Sequence, residues 1–348
     1  MTARPRLPFY LAGVYTLLIL YGSLHPLDHW RASGVDPLLF LQASWPRYFT
    51  AFDLVANSLA YVPLGFLWAT VLAARLPAGA VFFGAALAAG AVSFGVEVVQ
   101  NYLPSRIPSN LDLACNTLGG MAGAIAALRW GHHLLDGGRL HAWRERRFLG
   151  GSAGDRGLVL MALWLLTQLS PESFLFGNGN LRGLLGLPAA FDFRANHFLE
   201  LEMATVAAQT LAITLIGNRL ARNHPILLPL MLLGSAMLVK SGAIMLLMES
   251  VHGFAWITPG TLGGLALGLA LALLALGCQA DERLTIAAMA LMLATVLANL
   301  MPDNPYLDDT LRVWQQGHFL NFNGLTRLVA ALWPFLALPW LMLTRTKP

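Results

Sequence analysis

Seven polar side chains set among long apolar runs carry the chemistry of this sequence: Asp53, Asn57, Glu97, Gln100, Arg106, Asp112 and Asn116. A charge at mid-bilayer costs about 2.5–3.5 kcal/mol on insertion scales, so charges kept inside apolar segments mark either function or paired structure. Spacing groups them. Asp53 with Asn57 and Asp112 with Asn116 stand at i,i+4, and Glu97 with Gln100 at i,i+3, so each pair shares one face of a helix. Arg106 lies in the turn NYLPSRIPSN that follows Gln100. Carboxylates and amides gathered in one layer accept hydrogen bonds from hydroxyl or ammonium groups. A guanidinium takes a phosphate or carboxylate in two-pronged fashion.

The elements that hold these residues are membrane helices. Of 348 residues, 57% are hydrophobic and 11% charged, against about 25% charged in an average soluble domain. A span needs about 20 mainly apolar residues. Segments near 8–25, 52–74, 78–101, 112–130, 157–171, 199–218, 225–249, 258–279, 284–301 and 324–344 qualify, which predicts an all-α, polytopic bundle of ten spans. The fifth is the shortest. Arg4 and Arg6 precede the first run as in a signal peptide, but no small-x-small cleavage site follows, so the reading is an uncleaved first helix. Despite a formal charge of +4, basic residues form no patch with interleaved aromatics, which argues against nucleic acid as a partner.

Those basic residues instead orient the chain. With the N-terminus inside, the inner segments hold Arg4, Arg6, Arg75, Arg129, Arg139, Arg144, Arg146, Arg147, Arg156, Arg219, Arg222, Arg283, Arg345 and Lys347. The outer segments hold Arg31, Arg47, Arg106, Arg182, Arg194, Arg312 and Arg327, and Lys240 lies within a span. This excess satisfies the positive-inside rule and places both termini in the cytoplasm of a bacterial inner membrane. Spans two and four then run inward and span three outward. Asp53, Glu97, Arg106 and Asp112 fall at the outer edge, with Asn57 and Asn116 about one turn deeper.

The order D-x3-N with a following PLG (Asp53, Asn57, Pro63, Leu64, Gly65), E-x2-Q-x3-P-x-R (Glu97, Gln100, Pro104, Arg106) and D-x3-N-x2-GG (Asp112, Asn116, Gly119, Gly120) resembles the VanZ-like family over about residues 10–130. The resemblance implies an integral membrane protein, in a family associated with low-level resistance to the glycopeptide teicoplanin, and no established reaction. Three parts follow: a four-helix membrane domain at 1–130, a basic cytoplasmic loop at 131–156, and a six-helix domain at 157–348. NTLGGMAGAIAAL (116–128) and GTLGGLALGLALA (260–272) suggest two diverged four-helix repeats plus a terminal helix pair. Trp256 and Gly260 stand where the first half has Asp112 and Asn116, and Lys240 and Ser241 where it has Glu97.

Duller readings stand beside the functional one. Ser109-x-x-Asp112 fits a capping box, and Asp53 can cap the second span. Glu97, at a helix C-terminus where negative charge is disfavoured, cannot be explained by capping but could pair with Arg106. Pro63 kinks its helix, and the glycines after Asn116 permit close packing rather than cradling a phosphate. In the second half Lys240 needs a partner, for which Glu200 or Glu202 is first choice and Glu249 second. His197 and His318 have no metal-ligand spacing, Cys115 and Cys278 no disulfide geometry, and no cofactor fingerprint occurs. The leading expectation is an outer-edge pocket for an anionic lipid or lipid-linked saccharide head group. A proton-coupled carrier is the alternative, and an intramembrane enzyme using Asp53, Glu97 and Asp112 a weaker one. Single cysteines placed within 101–110 should react with an impermeant thiol reagent added outside, and those within 131–156 should not; the opposite labelling overturns the orientation.

Overall fold

The computed structural model describes residues 6–46, 49–170, 175–247, 253–305 and 320–344. Described residues form two compact units, Met1–Glu145 and Arg146–Pro348. The first contains α1 (Leu7–Leu24), α2 (Ala51–Ala73), α3 (Ala78–Gln100), α4 (Asn110–Gly131) and most of α5 (Arg139–Arg147). The second contains α6 (Gly151–Thr167), the single turn α7 (Leu181–Leu184), α8 (Ala195–Leu220), α9 (Leu227–Leu247), α10 (Pro259–Ala275), α11 (Ala280–Leu300) and α12 (Leu320–Leu343).

Each of the ten expected spans falls on one of these helices. Eight are long and apolar enough to cross a membrane; α10, with 17 residues, is a shorter apolar helix. The expected fifth span coincides with the apolar end of α6, also 17 residues, which starts six residues earlier and carries Asp155 and Arg156 in its first turns. Of the orienting residues, Arg4, Arg47, Arg312, Arg345 and Lys347 lie outside the described residues, as do Glu249 and His318.

The expected basic loop is largely helical. A π-helical turn at His132–Asp136 is followed by α5, and the division between the two units falls inside α5 rather than at either end of the loop. The sequence RLHAWRERR contains several strong helix formers, and His141 lies 3.3 Å from Glu145 one turn on.

Packing in the first unit centres on α2 against α4. A Cβ at Gly119 would meet the Ser58 carbonyl oxygen at 2.1 Å, and one at Gly123 the Val62 oxygen at 2.0 Å. Only glycine lets the two backbones approach this closely, the small-residue packing that bilayers favour where lipid tails compete with ordinary apolar contacts. The contacting positions rise together along both helices, so α2 and α4 run parallel. Pro63 lies inside the unbroken α2. Tyr15 Oη donates to the Ala60 carbonyl at 2.9 Å, beside the Leu59 carbonyl that Pro63 deprives of an amide donor.

The second unit repeats the device. Gly264 and Gly268 of α10 would place Cβ atoms 2.7 and 2.6 Å from the Met203 and Ala207 carbonyl oxygens of α8, again a parallel pair. The matched segments align Gly119 with Gly263, so the packed glycine face is displaced by one residue between the units. Around α8 lie α9, α10 and α11. α12 closes on α6, with Trp333 and Trp340 Nε1 donating to the Leu160 and Ala153 carbonyls, each at 2.8 Å. Because Gly123 faces backbone whereas a Cβ at Gly79 meets nothing within 4 Å, Gly123→Val should destabilise by about 1–3 kcal/mol or more. Gly79→Ala should be neutral or slightly stabilising; thermal melts in detergent measure both.

Candidate functional site

Four of the seven signature residues come together where α2 and α4 begin and α3 ends. Asn57 Nδ2 donates to Asp112 Oδ1 at 2.9 Å, tying α2 to α4. Glu97 Oε2 accepts from the backbone N–H of Ser109 at 2.7 Å, tying α3 to the residue before α4. One turn deeper, Asn116 Nδ2 donates to Ser93 Oγ at 3.0 Å. Glu97 and Asp112 interact electrostatically with each other, and Asp112 also with Asp53. Exposure falls with depth: Asp53 is exposed, Asp112 and Asn57 half-buried, and Asn116 and Glu97 are 5% and 2% exposed.

The capping readings separate the two aspartates. Asp53 completes a capping box with Thr50, its carboxylate accepting from Thr50 N–H at 3.1 Å and Thr50 Oγ1 at 2.7 Å. At α4 only half of the expected box forms. Ser109 Oγ accepts from Asp112 N–H at 3.3 Å, but the return bond from Ser109 N–H goes to Glu97. Glu97 therefore caps its neighbour, where the α4 dipole welcomes negative charge, although it sits at the unfavourable end of its own helix.

Gln100 and Arg106 do not join this network. Gln100 Nε2 donates to the Ser23 carbonyl at 3.0 Å, and Arg106 Nε to the His25 carbonyl at 3.1 Å, with a second bond from Nη2 to the same oxygen. Together they hold the C-terminal end of α1 in LYGSLHP. The expected Glu97–Arg106 pair is thus replaced by separate partners. Burial lowers the Arg106 pKa from its ordinary value, and the group stays charged at neutral pH. The segment joining α1 to α2 crosses this end of the unit: Asn101 Nδ2 reaches Ser33 Oγ at 2.8 Å, and Asn110 Nδ2 the Ala43 carbonyl at 2.6 Å.

Two residues of the site escaped the sequence reading. Tyr61, 2% exposed, and Ser93, fully buried, form the lower storey with Asn116. Tyr61 follows Asn57 by four, and Ser93 precedes Glu97 by four, so carrying the same-face rule one turn inward would have found both. One turn deeper again the helices pinch shut. A Cβ at Gly65 would meet the Gly120 oxygen at 2.0 Å, and one at Gly120 the Ala89 Cβ at 2.3 Å. The polar layer is closed beneath by backbone contact.

The second unit does not pair Lys240 with Glu200 or Glu202. Lys240, 1% exposed, donates from Nζ to the Ser170 carbonyl after α6. Glu202, 3% exposed, accepts from Thr261 Oγ1 at 3.0 Å on the face where Gly260 admits α10. Glu200 is exposed. The correction is geometric: the close α8–α10 contact takes the buried carboxylate of Glu202, and the ammonium bonds the Ser170 carbonyl past the end of α6, while Glu249, the second choice, lies outside the described residues. Trp256 Nε1 donates to Ser241 Oγ at 2.8 Å, so the residues standing where the first half has Asp112 and Glu97 are themselves linked.

Among the described residues, eight long apolar helices define a polytopic helical membrane protein. Residues 9–131 match the VanZ/LLP1 family model, which spans all seven signature residues, and this part of the chain is a VanZ-like domain. No curated protein and no solved structure matches the chain. Since Lys240 and Glu202 have separate partners, the losses in melting stability from Lys240→Met and Glu202→Gln should add to within about 0.5 kcal/mol. Rescue of one by the other would restore the ion pair.

Proposed function

We propose that this protein is an integral membrane protein of the bacterial cytoplasmic membrane whose recess opens at the outer face and binds the head group of a lipid-linked saccharide. The observation that carries this reading is the pair of recessed carboxylates, Glu97 and Asp112, each with one oxygen committed, to Ser109 N–H and to Asn57. Among the described residues their second oxygens accept no hydrogen bond, and sugar hydroxyls are the donors such acceptors suit. Arg106 was the expected donor to an anionic head group; its bonds to the His25 carbonyl weaken the anionic side of the earlier expectation. Trp30 and Trp45 on the crossing segment are 52% and 64% exposed, as aromatic side chains at head-group level commonly are.

The pinch at Gly65, Gly120 and Ala89 favours a recess over a carrier, since a carrier site lies near the midplane with alternating access from both sides. Its role is in handling envelope saccharides, with low-level glycopeptide resistance as one phenotype of its loss or overproduction. Native mass spectrometry of protein purified in mild detergent tests the reading. Wild type should retain a sugar-bearing lipid that Asp112→Asn loses by about tenfold or more, an effect of about 1.4 kcal/mol, at unchanged melting temperature. Equal retention of the same lipids by both proteins would sink the saccharide reading.

A further inference from the structure

The recess has a charge imbalance that a neutral sugar would leave standing. Glu97 and Asp112 interact electrostatically across the junction of α3 and α4. The hydrogen-bond partners of Glu97 and Asp112 are both neutral, a backbone N–H and the Asn57 amide. Facing groups from the packed helices, Tyr61 on α2 and Ser93 on α3, are neutral as well, as is Asn116 on α4 itself. Arg106, the signature's cation, is bonded to the His25 carbonyl at the end of α1. Like charges crowded at low dielectric repel strongly unless a cation enters between them.

One buried polar atom at the same place lacks a partner. Asn116 Oδ1 is buried and takes no hydrogen bond, on a residue 5% exposed. Asn116 stands one turn beneath Asp112 on the same face of α4, and beside it Tyr61 interacts with Ser93 and electrostatically with both Glu97 and Asp112. Buried polar groups in native proteins are nearly always satisfied, so such an atom beside two acidic side chains points to a donor supplied from outside.

We propose that the ligand of the recess carries a primary ammonium, seated between Glu97 and Asp112 with its remaining N–H directed to the lower storey at Asn116 Oδ1. An ammonium offers three donors and one positive charge, which matches two carboxylate oxygens and a neutral acceptor. The ligand class is an amino sugar with an unacylated amine, the lipid tail remaining in the bilayer. This rests on the recess being a binding site, and sharpens it from hydroxyl to ammonium recognition.

Saturation-transfer NMR on the full chain in nanodiscs, with glucosamine, N-acetylglucosamine and ethanolamine as soluble probes, tests it. Glucosamine should bind about tenfold or more tightly than N-acetylglucosamine, because acetylation removes the charge and two donors. Ethanolamine should compete with it. Glu97→Gln and Asp112→Asn are isosteric and each retains an acceptor for the existing hydrogen bond, so the bundle should persist while the preference falls to about onefold. Equal binding of the two sugars to wild type overturns the ammonium and leaves saccharide recognition intact. Binding of ethanolamine without either sugar keeps the ammonium and removes the saccharide. No binding by any probe overturns both, and the wild-type comparison alone decides between these results even should a variant fail to fold.

Discussion

The first unit depends on how closely α2 lies on α4. Lipid tails satisfy apolar surface as well as protein does, so helices in a bilayer are held by packing and polar contact rather than by exclusion of water. Gly119 and Gly123 meet backbone directly. That approach brings Asn57 within 2.9 Å of Asp112. Side chains of ordinary size at those two glycines would hold the helices apart and leave both polar groups facing hydrocarbon. The Asn57–Asp112 contact and the glycine packing below it are therefore one design.

Polar groups are distributed accordingly. Groups nearest the helix ends serve architecture: Asp53 caps α2, and Gln100 and Arg106 secure α1. Groups slightly deeper, Glu97 and Asp112, keep acceptor capacity in reserve. Below them Asn116, Ser93 and Tyr61 form a layer that is only partly satisfied. Architecture is served at the rim while hydrogen-bonding capacity is kept below it, an arrangement that would suit the proposed site being formed before its ligand arrives.

Much of this was legible in the sequence. Apolar length located the helices under all ten expected spans, and the i,i+4 pairs located the polar layer, because both follow from segment length and helix periodicity. Partner choice was not legible. The pairing of Glu97 with Arg106 was reasonable from nine residues of separation, but the turn between them sends the guanidinium to the end of α1, and Ser109 N–H lies nearer the carboxylate. The first-choice partners of Lys240, Glu200 and Glu202, missed for the same reason: one partner is the backbone carbonyl of Ser170, and carbonyls have no signature in a sequence. The basic stretch read as a loop because charge marks sidedness strongly, whereas the helix-forming residues within it signal weakly.

The closure beneath the recess also has an electrical consequence. Asp112 lies in the first turn of α4 and Glu97 one turn from the end of α3, so a cation bound there would sit about one helical turn, roughly 5 Å, inside a core of about 30 Å. Moving a unit charge across the whole membrane is worth about 2.3 kcal/mol per 100 mV, and a shallow entry samples roughly a sixth of that, about 0.4 kcal/mol. Occupancy would then be nearly indifferent to whether the cell is energised. The proposed site would then report the abundance of its ligand rather than the state of the proton-motive force.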